Sequence, residues 1–144
     1  MDLIAHLVDG FAVSLSPLNL LYCLIGTIIG TAIGVLPGLG PTATISLLLP
    51  ITYRMDPIAS IIMLSGIYYG AMYGGSITSI LIKIPGEASS IVTCIDGYEM
   101  ARRGRAGPAL GISAFGSFFA GIVATAGLAV FGPLLARVAL KFGP

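Results

Sequence analysis

Three runs without a single charged side chain constrain this sequence more than any other feature. They cover residues 10–53, 57–82 and 106–136. A helix that crosses a bilayer needs about 20 consecutive apolar residues, and each run is long enough to supply one. Charged residues make up 9% of the chain, against roughly 25% in a soluble domain, and the mean hydropathy is +1.02. The sequence therefore predicts an all-α, multi-pass integral membrane protein embedded in a lipid bilayer.

Other classes are excluded by what is missing. A net charge of +1 offers no dense basic face for nucleic acid. The opening "MDLIAHLVDGF" has no basic residue before the apolar region, so no removable leader is expected. Cys23 and Cys94 have neither disulfide-framework nor metal-ligand spacing. No G-x-S-x-G elbow, Walker loop, G-x-G-x-x-G or H-E-x-x-H occurs, and no cofactor is expected. An enzyme is not the reading. Transport by this chain would draw on a gradient or on another subunit. Its length supplies few helices for a pathway through a membrane, so it is expected to be one N-terminal transmembrane portion of a longer protein.

Breakers divide the apolar runs. Spanning helices are expected at residues 18–36, 58–73 and 108–131. Short half-helical or re-entrant segments are expected at 42–50 and 76–85, and a polar loop at 96–107. Pro37-Gly38 and Pro41 bound the first break, Pro50 closes the short segment after it, and Gly74-Gly75 and Pro85-Gly86 bound the second break. Arg102, Arg103 and Arg105 place the polar loop on the cytoplasmic side.

Glycines recur every four residues in two ladders, Gly26-Gly30-Gly34-Gly38 and Gly66-Gly70-Gly74. This spacing puts them on one helix face, where a partner backbone approaches closely. The ladders read as packing. A shift of 36 positions lays Gly30, Gly34, Gly38 and Thr42 over Gly66, Gly70, Gly74 and Thr78. It suggests a repeated helix–break–half-helix unit, part of a larger repeat-built fold.

Broken backbone at membrane depth is tolerated only where protein buries it or where it lines an aqueous cavity. A half-helix N-terminus presents free N–H groups and the positive end of a dipole, and discontinuous helices of this kind build the sites of secondary transporters. "PGLGPTAT" supplies Gly38, Gly40, Pro41, Thr42 and Thr44, and "GGSITS" supplies Gly74, Gly75, Ser76, Thr78 and Ser79. These hydroxyls and N–H groups suit carboxylate oxygens, while freed carbonyls suit a small cation. The competing reading is a proline kink satisfied by neighbouring Ser and Thr, with no ligand. Glu87 in "IPGEASS" is either an intramembrane proton or cation site or a cap on the next segment. Lys83 either snorkels to an interface or attracts an anionic substrate. Asp96 and Glu99 belong to the solvated loop, and His6 carries no signal.

"GVLPGLGPTATISLLLP", "YGGSITSILIKIPGEASS" and "DGYEMARRGRAGPALGIS", in this order, resemble the large membrane subunit of tripartite tricarboxylate transporters, the TctA family. The resemblance covers the chain from about residue 18 to its end. It implies a secondary transporter of the bacterial inner membrane that works with a small membrane subunit and a periplasmic solute-binding protein. It further implies uptake of citrate or other carboxylates by symport with Na⁺ or H⁺. Gly38, Gly40, Pro41, Thr42 and Thr44 match the family's first glycine-proline motif. Gly74, Gly75, Ser76, Thr78, Ser79, Pro85, Gly86 and Glu87 match its second. Two rivals remain open: a non-transporting scaffold that docks partner proteins, and an intramembrane enzyme using Glu87 or Asp96.

Overall fold

The computed structural model describes residues 2–142, and it is helical almost throughout. Six helices follow in order: α1 (Asp2–Ser14), α2 (Pro17–Gly34), α3 (Gly40–Thr52), α4 (Pro57–Ile82), α5 (Ile91–Arg102) and α6 (Ala106–Ala139). Among the described residues there is no strand. Among the described residues three stretches are long and apolar enough to cross a membrane: Pro17–Gly34, Pro57–Ile82 and Ala106–Gly132. The protein is an all-α membrane protein. The chain divides into two units, Met1–Leu110 and Gly111–Pro144. The second is the greater part of α6 with a terminal 3-10 turn, and Phe115, Phe118, Phe119, Val123 and Leu128 on it are all exposed.

The first unit is organised by glycine. A Cβ added to Gly26, Gly30 or Gly34 would overlap the backbone of Met63, Ile67 or Ala71, respectively. Conversely, Gly66, Gly70 and Gly74 face the backbone around Cys23, Thr27 and Thr31, and a Cβ on Gly74 would stand 2.7 Å from the carbonyl oxygen of Thr31. The two ladders are thus the two halves of one seam. Lipid gives helices no hydrophobic reason to associate, so close backbone packing supplies the attraction.

Contacts along the seam advance together, Gly26 with Met63, Gly30 with Ile67, and Gly34 with Ala71. Hence α2 and α4 are parallel, and α3 must carry the chain back between them. It does so antiparallel to α4. Leu48 packs with Met63 and Ile67, and the Ser60 hydroxyl near the start of α4 donates to the carbonyl of Thr52 at 3.1 Å. With 13 residues, α3 is about 20 Å long, so its flanking turns complete the return.

Proline and its helpers set the helix starts. Pro17, Pro41 and Pro57 each occupy a first-turn position, where the absent N–H costs nothing. Asp56 caps α4 through Oδ2, which accepts from the N–H of Ile58 at 3.0 Å and of Ala59 at 3.5 Å. Lys83 ends α4 in the left-handed conformation, φ 59°.

Several expectations need correction. Gly74 and Gly75 do not end a helix at residue 73: α4 continues to Ile82. Each glycine costs about 1 kcal/mol relative to alanine inside a helix, whereas every backbone group unpaired in lipid costs several. Residues 76–82 are therefore the end of α4 rather than a separate half-helix. The proposed repeat fails for the same reason, since Gly38 lies in a turn at φ 85° while its counterpart Gly74 is helical. Gly38 also leaves the first ladder, with nothing within 4 Å of its Cβ position.

Residues 96–102 are not loop either, because α5 covers them. Gly97 lets α5 approach α4, where a Cβ would meet Ile80 Cγ1 at 2.8 Å. Only the turn at Arg103-Gly104-Arg105 is irregular, with Gly104 at φ 74°. The short segment at residues 42–50 extends to 40–52, since Pro50 lies within α3 rather than ending it. Residues 2–14 form a further helix, α1, ahead of the first expected span.

Candidate functional site

At the end of α2 a proline without an N–H follows the last turn, and Gly38 and Gly40 adopt φ values of 85° and 61°. The left-handed region costs a side-chain-bearing residue about 1–2 kcal/mol, so glycine belongs at both. The chain turns and α3 begins, with no side chain capping its N-terminus. The second turn, Lys83 to Gly86, brings the chain back against α4 after it has passed Gly75.

These two turns meet. The Cβ position of Gly40 is 3.8 Å from the carbonyl oxygen of Gly86 and 3.9 Å from Glu87 Cβ. A Cβ on Gly86 would overlap the Cα of Gly75, and the Cβ position of Gly75 is 3.8 Å from Glu87 Cγ. Three chain segments, the start of α3, the Gly75 turn of α4 and the Pro85-Gly86-Glu87 turn, therefore converge on bare backbone. The turn before α3 and the turn after α4 lie far apart along the chain, and packing joins them at one junction.

Hydroxyls ring that junction. Thr44 donates to the carbonyl of Gly40 at 2.7 Å. Both Thr78, at 2.9 Å, and Ser79, at 2.8 Å, donate to the carbonyl of Gly75. Thr44, Thr78, Ser79 and Ser90 are buried. Each of these hydroxyls spends its proton on a backbone carbonyl and keeps lone pairs to accept with, an arrangement with acceptor capacity for a cation or a protonated group. Thr42 is exposed at the start of α3, and Ser76 is half-buried with its hydroxyl 3.3 Å from the carbonyl of Met72. Among the described residues no buried polar side-chain atom lacks a partner.

Glu87 is half-buried and caps the 3-10 turn Ala88–Ser90. Its carboxylate accepts from the Ser89 hydroxyl. In the same box, its N–H lies 3.3 Å from Ser90 Oγ, and the Ser90 hydroxyl donates to its carbonyl at 2.9 Å. The cap places the acid at the junction of the two turns. Lys83 Nζ lies 5.3 Å from the centroid of the Tyr98 ring, a cation–π contact that ties the end of α4 to α5. Arg102, Arg103 and Arg105 are exposed at the end of α5 and in the following turn, and Arg102 lies 3.6 Å from Glu99. Gly86 and Ser90 join the expected residues at the junction, Gly86 by its contact with Gly75 and Ser90 by its hydrogen bonds to Glu87. A Pro-Gly pair followed by an acid and two serines signals them, but only the fold shows what they touch.

The profile of the tripartite tricarboxylate transporter TctA family matches residues 20–144. A protein of Agrobacterium vitis, described as an uncharacterized 52.8 kDa protein in the TAR-I ttuC' 3' region, is 64% identical over 143 residues. That match covers 99% of this chain and 28% of the relative, so the chain spans under a third of the relative's length. No solved structure matches.

Proposed function

The chain belongs to the tripartite tricarboxylate transporter TctA family, and on that footing we propose that it forms part of the permease for a tricarboxylate or related carboxylate. In this reading it sits in the bacterial inner membrane and takes solute from a periplasmic binding protein, beside a small membrane subunit. A Na⁺ or H⁺ gradient drives uptake by alternating access. The arginine turn at residues 102–105 faces the cytoplasm.

The observation that carries the proposal is the convergence of Gly40, Gly75 and Gly86. Bare backbone gathered at the uncapped start of a helix that returns through the membrane is a polar locus in an apolar protein. Carboxylate oxygens are met by the first N–H groups of α3 and by Thr42. The coupling ion is met by Glu87 and by the acceptor lone pairs of Thr44, Thr78 and Ser79. Ser76, at the edge of the junction, completes the lining.

The test is uptake of labelled citrate and a panel of other carboxylates by cells that express the full-length subunit with its partners. A Thr42→Ala/Ser79→Ala variant is compared at matched membrane levels. Gradient-dependent accumulation of unaltered solute, lost in the variant, supports the site. A scaffold would leave uptake intact in the variant, and an enzyme would release chemically altered product.

A further inference from the structure

Helix α4 has a second polar surface. Ser65, Tyr69 and Ser76 are separated by four and seven residues, so they share one face of the helix. That face lies about a third of a turn round α4 from Gly66, Gly70 and Gly74, away from the seam with α2. It is open: Ser65 is exposed, Tyr69 is 50% exposed and the adjoining Tyr68 42%.

Tyr68 and Tyr69 stand at the midpoint of the 26-residue α4, with their rings edge to face at 5.9 Å. Tyrosines of membrane proteins gather at the two interfaces, where the phenol reaches water. At the middle of a span the phenol needs another source of hydrogen bonds, because hydrocarbon offers none. Among the described residues neither phenol has a partner, whereas the Tyr73 hydroxyl lies 3.4 Å from the carbonyl of Leu110. Ser65 spends its proton on the carbonyl of Ile61 at 2.8 Å and keeps its acceptor capacity. On the same face toward the start of α4 stands exposed Ile58, so the polarity begins near mid-span. It then runs past half-buried Met72 toward Ser76, the neighbour of Gly75 at the junction.

We propose that the Ser65–Tyr69–Ser76 face of α4, with Tyr68 beside it, borders the water-filled path by which solute reaches the junction. The proposal rests on the transport reading above and adds Ser65, Tyr68 and Tyr69 to the residues that meet the solute. Along this wall the free phenol protons can donate to a carboxylate, and the serine oxygens, whose protons are held by Ile61 and Met72, accept from its hydration water, with no fixed charge to trap it.

The test uses the full-length protein with its partner subunits in opened membranes. Its native cysteines, Cys23 and Cys94 among them, are replaced by alanine. Single cysteines are then introduced as Ser65→Cys, which alters one atom, and Tyr69→Cys. Ile28→Cys on the apolar, exposed side of α2 and Arg103→Cys in the polar turn serve as controls. A charged methanethiosulfonate reacts with thiolate, which forms in water. Ser65→Cys and Tyr69→Cys should therefore react on the order of ten-fold faster than Ile28→Cys, and citrate should slow them. Reaction at the Ile28→Cys rate while Arg103→Cys reacts, with intact cells that express the cysteine-free parent still taking up carboxylate, would overturn the inference and leave the transport reading intact, with this face covered by protein or lipid. Fast reaction that no carboxylate slows would support the aqueous face and count against the carboxylate.

Discussion

The seam between α2 and α4 and the junction of the two turns are both made of glycine, yet glycine does different work in each. In the seam, Gly26, Gly30, Gly34, Gly66, Gly70 and Gly74 have ordinary helical backbone, and what matters is the space their missing side chains leave. At the junction, Gly38 and Gly40 are chosen for φ, while Gly75 and Gly86 are chosen for contact between a helix and a turn. The seam is regular and spread over three turns of each helix. The junction is one point, where a turn rather than a second helix packs against α4. A seam defect should therefore appear as lost stability, and a junction defect as lost transport.

The largest effect is expected in the middle of the seam. Gly30→Ala drives a Cβ into the Ile67 backbone, where no side chain can swing aside. Destabilisation of about 1–3 kcal/mol or more is expected, as for an overpacked core, read by thermal unfolding of the purified full-length protein in detergent. An unchanged unfolding temperature would mean that the helices do not meet this closely.

Gly86→Ala sharpens the contrast. Its Cβ overlaps Gly75 Cα, but the turn can retreat and take Glu87 with it. Carboxylate uptake should fall several-fold while the unfolding temperature drops less than for Gly30→Ala. The reverse order would make the junction a structural staple.

Gly38→Ala isolates conformation from space, since the position is open and only φ 85° is at stake. A loss of about 1–2 kcal/mol is expected, in the same unfolding assay. Removing the cap of α4 by Asp56→Ala should cost about 1 kcal/mol and leave uptake per folded molecule unchanged. Gly10→Ala is the smallest case. It is helical with nothing within 4 Å, so alanine should stabilise by about 0.5–1 kcal/mol.

Much was legible along the chain. Absence of charge over residues 10–53, 57–82 and 106–136 determined the membrane class and the three long apolar helices, because hydrocarbon excludes unpaired charge and forces backbone into helices whatever the details. Pro37-Gly38 and Pro85-Gly86 determined where turns fall, because proline removes an N–H and glycine admits φ values that other residues avoid. Only the tertiary structure decided what the remaining glycines do. Gly74-Gly75 had the composition of a break, yet α4 runs through it, since a partner backbone fills the space and lipid penalises the open alternative. The parallel course of α2 and α4, the return of α3 between them, and the meeting of Gly40 with Gly86 were equally hidden. A residue without a side chain carries no mark of its partner; the approach of another backbone supplies it.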